Sequence, residues 1–544
     1  METMHSDHSL LGHNTDTMTA TVSTDDVRAA LVAREEIALL DVREEDPFAQ
    51  SHPLWAANLP LSKLELEAWG RIPRRDTRLV VYDDGGGLAE CAVERLHTLG
   101  YTEVKLLGGG LAGWRESGGE LFRDVNVPSK SFGELVESQR HTPSLSAEEV
   151  QALLAQNADV VVLDARRFDE YQTMNIPGST SVPGGELVLR ARELAPDPAT
   201  RVIVNCAGRT RSIIGTQSLV NAGLPNPVAA LRNGTIGWTL AGQALEHGAA
   251  WRFGPEVSPA HRDAARSAAV DVARRAGVAW VDAATLTQWL EEAQRTTYRF
   301  DVRTPEEFAA GHRAGFRCAP GGQLVQETDV HAPVRGARLV LTDDDGVRAP
   351  MTASWLAQMG WQVAVLDAPM PPTDALETGP DKAPQPVPPE VHSVAPARLA
   401  DWLTTGEAVV IDVTASANHV KRHVPGAWFA LRSQLPELLP RIGAPRRLVL
   451  TCGSSLLARF AAKDIEALTT CEVWVLEGGT AAWVAAGLPV ESGDTRLLSK
   501  RIDRYRRPYE GTDNAAAAMQ AYLDWEFGLV EQLGRDGTHH FFVV

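Results

Sequence analysis

Four short apolar runs that close on aspartate recur along the chain: Ala38-Leu39-Leu40-Asp41, Val161-Val162-Leu163-Asp164, Tyr298-Arg299-Phe300-Asp301 and Val409-Val410-Ile411-Asp412. Each follows a stretch with helical patterning, such as 146–154 or 396–403. Each precedes a second β-rich run: Leu79-Val80-Val81-Tyr82, Val202-Ile203-Val204-Asn205, Leu339-Val340-Leu341-Thr342 and Leu448-Val449-Leu450-Thr451. The residues just after these second runs are Asp83, Cys206, Asp343 and Cys452, which lie 42, 42, 42 and 40 positions beyond the first aspartates. A third run ends at Leu107, Leu231, Leu366 and Leu476, and in repeats one, two and four a glycine turn then leads to Trp114, Trp238 and Trp483. Repeats two and three also share a phrase, Val182-Pro183-Gly184-Gly185 against Ala319-Pro320-Gly321-Gly322. A fixed period of this kind means one structural unit used four times.

Short Val/Ile/Leu runs alternating with helical segments predict an α/β fold, each unit a parallel sheet flanked by helices. The units are expected at 19–124, 143–252, 278–370 (a shortened copy) and 390–492, followed by a helical tail over 493–544. The clearest linker is the Pro-rich, acidic stretch 369–389; 124–143 and 258–278 join the other copies. The tail is basic over 500–507 and patterned as an amphipathic helix over 514–533.

At 544 residues the chain has room for three or four domains, and 44% hydrophobic with 22% charged residues is ordinary for a globular protein. A net charge of −18 argues against nucleic acid as a partner. Five cysteines, sparse and odd in number, argue against a secreted disulfide scaffold. With no signal-like start and no long apolar run, the expectation is a cytoplasmic protein that does not enter the membrane. The sequence is silent on oligomeric state.

In an open parallel sheet, ligands bind where strands end and loops lead into helices. Repeat two places there the loop Cys206-Ala207-Gly208-Arg209-Thr210-Arg211-Ser212. Converging backbone N–H groups, a helix N-terminus and two arginines all favour negative charge, which predicts a thiol shifted toward the thiolate and a cradle for a second anion. Gly208 permits the tight curl. Cys452 occupies the same position in repeat four, but no arginine follows until Arg459, so amides and the helix dipole act alone there. It is a second candidate nucleophile. Asp83 and Asp343 stand at this position in repeats one and three, where a carboxylate cannot serve as a thiol nucleophile and would repel an anion, which predicts that those repeats are inactive.

The combination Leu163-Asp164-Ala165-Arg166, Glu170-Tyr171, Ile176-Pro177-Gly178-Ser179, the Cys206–Ser212 loop, Asn233-Gly234 and Trp238 resembles a rhodanese domain. Repeats one, three and four resemble the same family through Asp41-Val42-Arg43, through Asp301-Val302-Arg303 with Gly311-His312, and through Arg422-His423-Val424-Pro425-Gly426-Ala427. The resemblance implies a ping-pong sulfurtransferase. A cysteine thiolate takes sulfur from a small anionic donor such as thiosulfate, becomes a persulfide, and passes the sulfur to cyanide or a thiol. It implies Cys206 as nucleophile, with Ala207, Gly208, Arg209, Thr210 and Arg211 binding the substrate. Asn175 stands where the family usually has histidine, and the Cys206 loop departs from the mercaptopyruvate-preferring type. No metal and no organic cofactor are expected.

Two other readings compete. A Cys-based phosphatase or arsenate reductase would want Cys-x5-Arg, whereas Cys206 to Arg211 is one residue shorter. A non-enzymatic scaffold would leave the role of the protein intact in Cys206→Ser. Among the remaining residues, Cys91 and Cys471 read as core, and Cys318 aligns with Ser181 near the silent site of repeat three. No Cys-x-x-Cys supports zinc or dithiol chemistry. Asp164 with Arg166 reads as a structural ion pair, Gly108-Gly109-Gly110 as the turn before Trp114, and His5, His8, His13, His539 and His540 as solvated ends.

Overall fold

The computed structural model describes residues 20–506 and 516–544; Thr19, His5, His8, His13, Arg507 and Asn514 lie outside them. Each repeat folds as a five-stranded sheet with every pairing parallel, and within each repeat the strands lie in the spatial order 1-5-4-2-3. The second strands are Ala38–Asp41, Val160–Asp164, Thr297–Asp301 and Ala408–Asp412. The fourth are Leu79–Tyr82, Arg201–Asn205, Arg338–Thr342 and Arg447–Thr451. Leu79–Tyr82, Arg338–Thr342 and Arg447–Thr451 are buried throughout, as strands covered on both faces must be. The register repeats too: Asp41 pairs with Tyr82, Asp164 with Asn205, Asp301 with Thr342 and Asp412 with Thr451. Asp83, Cys206, Asp343 and Cys452 therefore leave their sheets at equivalent points.

The recurrent Gly–Trp turn has a physical reason. Trp114, Trp238 and Trp483 are buried, and their indole N–H groups donate to the carbonyls of Glu120, Ala244 and Pro489 at 3.0, 2.8 and 2.7 Å. The same short helices approach the chemistry. The N–H groups of Leu111, Thr235 and Thr480 donate to the carbonyls of Asp83, Cys206 and Cys452 at 3.0, 2.9 and 2.8 Å. Gly234 and Gly479, at positive φ, lie so close that a Cβ would stand 2.3 Å from the Cys206 or Cys452 carbonyl oxygen. Repeat three lacks this helix. After Gln362–Leu366 its chain runs through a single 3-10 turn, Thr373–Ala375, into the Pro-rich segment.

The copies pack through their shared features. Gly184-Gly185 and Gly321-Gly322 lie against each other, a Cβ on Gly185 falling 2.9 Å from the Gly322 nitrogen, so the phrase common to repeats two and three is an interface. One apolar cluster runs from Leu40 and Val81 of repeat one to Phe300 and Leu339 of repeat three. Arg432 of repeat four bonds Glu65 of repeat one at 2.5 and 2.9 Å.

Several local expectations change. The stretch 124–143 holds the helix Val127–Arg140, largely buried. The tail forms two helices, Ala516–Phe527 and Leu529–Asp536, broken at Gly528. His539 and His540 are not on a solvated end, because Phe541, Val543 and Val544 pack on the core and the Phe542 N–H donates to the Gln358 carbonyl. Cys91 is exposed rather than core: on its helix the buried positions are Ala89, Ala92, Val93 and Leu96, a stripe that bypasses it. No helix among the described residues is long and apolar enough to cross a membrane.

Candidate active site

The two aspartate copies show what the loop after the fourth strand is built to hold. In repeat one the Asp83 carboxylate accepts from the N–H groups of Gly85, Leu88 and Ala89 at 2.8, 2.7 and 3.2 Å. In repeat three Asp343 accepts from Gly346 and Ala349 at 3.1 and 2.8 Å. The loop gathers N–H donors onto one side chain, and in both copies the protein's own aspartate fills it. The second ring of charge closes it further, with Arg43 reaching Asp84 at 3.8 Å and Arg303 reaching Asp344 at 3.2 Å.

Repeat four presents the same cradle to a sulfur atom. Burial pushes the Cys452 thiol up, and the nearby backbone N–H groups of Ala458, Ser454, Leu457 and Ser455 oppose that rise. Cys452 is only 4% exposed, but Gly453 and Ser454 are exposed, and a Cβ on Gly453 would meet nothing within 4 Å. The loop is open. Arg459 turns away and donates to the Pro389 carbonyl at 3.1 Å.

Repeat two differs from expectation at each charged position. Arg209 does not face the loop; it pairs with Glu134 at 2.7 Å and with Glu137, both on the Val127–Arg140 helix, and donates to the Asn233 side-chain amide oxygen at 3.0 Å. Arg211 makes a two-pronged pair with Glu170 at 2.7 and 2.8 Å. Neither guanidinium is turned toward an incoming donor, because each has a carboxylate within fork distance. Cys206 is 2% exposed and its thiol donates to Ser212 Oγ at 3.4 Å. Burial pushes this thiol up, and the Arg211 charge and the Ser212 contacts do not reverse the shift. The expectation that the loop lowers the thiol pKa is therefore corrected for both cysteines: dehydration of the charged form outweighs the cradle.

The cover over Cys206 is the helix Ala516–Phe527. Met519, Tyr522 and Leu523 pack on Ile236, and a Cβ on Gly208 would meet Glu526 Oε2 and the Tyr522 ring at 3.4 Å. Glu526 is itself buried, its Oε2 has no hydrogen-bond partner, and burial pushes its carboxyl up to about 8. Arg209 lies over the Phe527 ring at 4.2 Å. The sequence carried a faint sign of this arrangement, since Lys130, Glu134 and Glu137 recur at helical spacing in the supposed linker.

Thiol accessibility follows. Iodoacetamide is expected to modify Cys452 before Cys206 in the native protein. Tyr522→Ala with Glu526→Ala is expected to raise the Cys206 rate by about tenfold or more by admitting water and reagent to the thiol. Peptide mapping of the alkylated sites checks both.

The other candidates fall away. Asp164 with Arg166 is a buried pair at 2.7 Å, mirrored by Asp41 with Arg43 and Asp301 with Arg303, which fixes the loop after the second strand. In repeat four Thr414 replaces that arginine and Asp412 bonds His419 at 2.9 Å instead. Cys318 is half-buried, and burial together with Asp301 pushes its thiol to about 12. Cys471 is half-buried, and all five cysteines are free. Among the described residues no group of three or more His, Cys, Asp or Glu is placed to hold a metal ion.

Comparison with known proteins agrees with this geometry. A family model described as the rhodanese-like domain matches residues 23–117, 146–241 and 395–486, together more than half of the chain. A crystal structure of a thiosulfate sulfurtransferase from Pseudomonas aeruginosa is 68% identical, with a TM-score of 0.95, over 96% of this chain and 100% of that one. A curated thiosulfate sulfurtransferase of Pseudomonas aeruginosa is 31% identical over 216 residues, 32% of this chain and 79% of the relative. A probable 3-mercaptopyruvate sulfurtransferase of the same organism is 34% identical over 139 residues, 25% of this chain and 47% of the relative. Four equivalent sheets, a nucleophile position at the tip of each fourth strand, and these matches make one conclusion: the chain belongs to the rhodanese-like sulfurtransferase family and is a rhodanese-type enzyme.

Proposed function

We propose that the protein moves sulfane sulfur from thiosulfate to a thiophilic acceptor, cyanide or a thiol, through a persulfide on Cys452. The observation that carries this reading is that the loop after Cys452 is open to solvent, Gly453 meeting nothing within 4 Å, whereas the loop after Cys206 is covered at Gly208 by Glu526 and Tyr522. The thiolate attacks the outer sulfur of thiosulfate. The Sγ–S bond forms as the donor S–S bond breaks, and sulfite leaves with the electron pair. The new terminal sulfur carries negative charge, and the amides that solvate the thiolate are already oriented to stabilise it. An acceptor then takes that sulfur and returns the thiolate.

Cys206, the stronger candidate by sequence, is a closed second site in this reading: its cradle is present, but the C-terminal helix covers it. Repeats one and three are packing units whose cradles their own aspartates occupy. A phosphatase reading has less support, because Arg211, the residue that would grip a phosphate, is held by Glu170.

Mass spectrometry after incubation with thiosulfate tests the proposal. One added sulfur, a gain of about 32 Da on the reactive thiolate, is expected on the peptide containing Cys452. The same gain confined to the Cys206 peptide would refute the assignment.

A further inference from the structure

Repeat three breaks the pattern of the other copies at a second place besides Asp343. In repeats one, two and four the residue two before the strand-ending aspartate is Leu39, Val162 or Val410. Each is buried in one apolar cluster with the tryptophan of its own repeat, Trp114, Trp238 or Trp483. The same position in repeat three is Arg299, which pairs with Val340 as Val162 pairs with Ile203. The tryptophan is missing because the chain takes a shorter path. An antiparallel bridge closes every repeat: His52 with Phe122, Asn175 with Glu246, His312 with Glu377 and His423 with Glu491. It comes 15 residues after the fifth strand in repeats one, two and four, and 11 residues after it in repeat three. The difference is about one helical turn.

A second arginine, Arg313, stands at the position of Ile176 and Val424 and ties down the shortened path. It donates to the carbonyls of Ala368 and Pro369 at 2.6 and 2.8 Å and to Thr342 Oγ1 at 3.1 Å. Arg299 has no such use. It is half-buried, and among the described residues it makes no ion pair and no hydrogen bond. Burial lowers its pKa, and no neighbouring carboxylate opposes that shift. Its guanidinium lies 5.9 Å from the Phe316 ring, and against Gly315, where a Cβ would stand 2.6 Å from a guanidinium nitrogen. A buried charge without a partner is costly, so its setting points to what completes it. Arg299 lines a cavity of about 690 Å³ whose walls include Phe308 and Phe316 of repeat three and Trp69 of repeat one.

We propose that this cavity binds a small organic monocarboxylate with a flat aromatic body, the carboxylate on the Arg299 fork and the ring against the aromatic walls. The volume lies in the range of sites for small organic ligands, which are mostly apolar with a few placed polar groups. A guanidinium matches a carboxylate two-to-two, and a fork with no protein acid on it is open to one from a ligand. The other arginine of the cavity, Arg317, is already taken: it grips Asp381 at 2.7 and 2.8 Å. Asp381 and Glu377, which lies 3.6 Å from His312, line the same cavity and would repel a polyanion such as a nucleotide. One negative charge is what the cavity admits. The site lies in a repeat with no cysteine nucleophile, and the proposal does not depend on which cysteine carries sulfur.

Titration calorimetry on the full chain tests it with benzoate, 2-naphthoate and indole-3-acetate, each set beside its neutral amide, and with acetate as the carboxylate that has no ring. At least one aromatic carboxylate is expected to bind at one site per chain, about tenfold or more tighter than its amide and than acetate, the effect of a charge-assisted bond joined to aromatic contact. Arg299→Gln is expected to weaken that binding by about tenfold or more and to leave thiosulfate:cyanide transfer within about twofold of wild type. Arg299→Lys keeps the charge without the fork and is expected to fall between the two; it carries the test if Arg299→Gln does not fold. The proposal is overturned if none of the three carboxylates binds at millimolar concentration, if amide or acetate binds as tightly as the aromatic acid, or if binding survives the loss of Arg299.

Discussion

Cys452→Ser is expected to lower transfer of sulfur from thiosulfate to cyanide by about 10³-fold or more, because a hydroxyl cannot carry the sulfane sulfur and no other group substitutes for the nucleophile. Cys206→Ser is expected to keep roughly half or more of the activity, since Tyr522 and Glu526 cover its loop at Gly208 and the proposed reaction does not pass through its thiol. The pH profile adds a check with a definite sign. The reactive form is the thiolate, and burial holds the Cys452 thiol above its ordinary range despite the four amides. The thiolate fraction therefore grows as pH rises, and kcat/KM for thiosulfate should climb through neutral pH and level off only beyond the ordinary thiol range. A plateau already reached in mildly acid solution would mean that the cradle outweighs burial. Loss of activity in Cys206→Ser with full activity in Cys452→Ser would exchange the roles of the two sites.

The fold was legible because its signals are local and repeated. The spacing from Asp164 to Cys206 depends on one strand, one helix and the next strand, and so does each of its counterparts. Four copies in register leave little room for another topology. The nucleophile positions were legible for the same reason. What the sequence could not reveal is which charges the fold would turn toward those positions. Arg209 and Arg211 sit next to Cys206 in the chain, and proximity in sequence made them look like substrate ligands. Their partners, Glu134 and Glu170, lie 75 and 41 residues away and reach them only through tertiary packing. The cover from Tyr522 and Glu526 is more distant still. The expectation of a lowered thiol pKa failed for a related reason. Neighbouring charge can be counted from a sequence, whereas the burial that opposes it depends on everything packed above the loop.

The same chemistry gives the two aspartate copies a structural use, and Arg348 is where it is most concentrated. This side chain is 1% exposed and joins the repeats: it bonds Glu186 of repeat two at 2.8 Å, and Glu307, Asp344 and Asp345 of repeat three at 2.6, 3.0 and 2.5 Å. Arg348→Met keeps the length of the stem but leaves carboxylates facing one another out of water, at an expected cost of about 3–5 kcal/mol, the usual result of breaking a buried pair by removing one partner. A fall in the urea midpoint checks it, and Asp345→Asn added to the variant should restore part of the loss by removing one unpaired charge. The effect should depend on pH. Burial pushes the Glu307 carboxyl up, but bonding and charge from Arg348, with Thr304, hold it at about 2 against an ordinary 4.5. A carboxylate depressed in the folded state stabilises the fold above its unfolded pKa and loses that contribution as the pH falls through the folded one. The gap between wild type and Arg348→Met is therefore expected to be full at neutral pH and to narrow between pH 4.5 and 2. A gap that stayed constant across that window would mean that the cost of losing Arg348 lies in its packing and not in its charge.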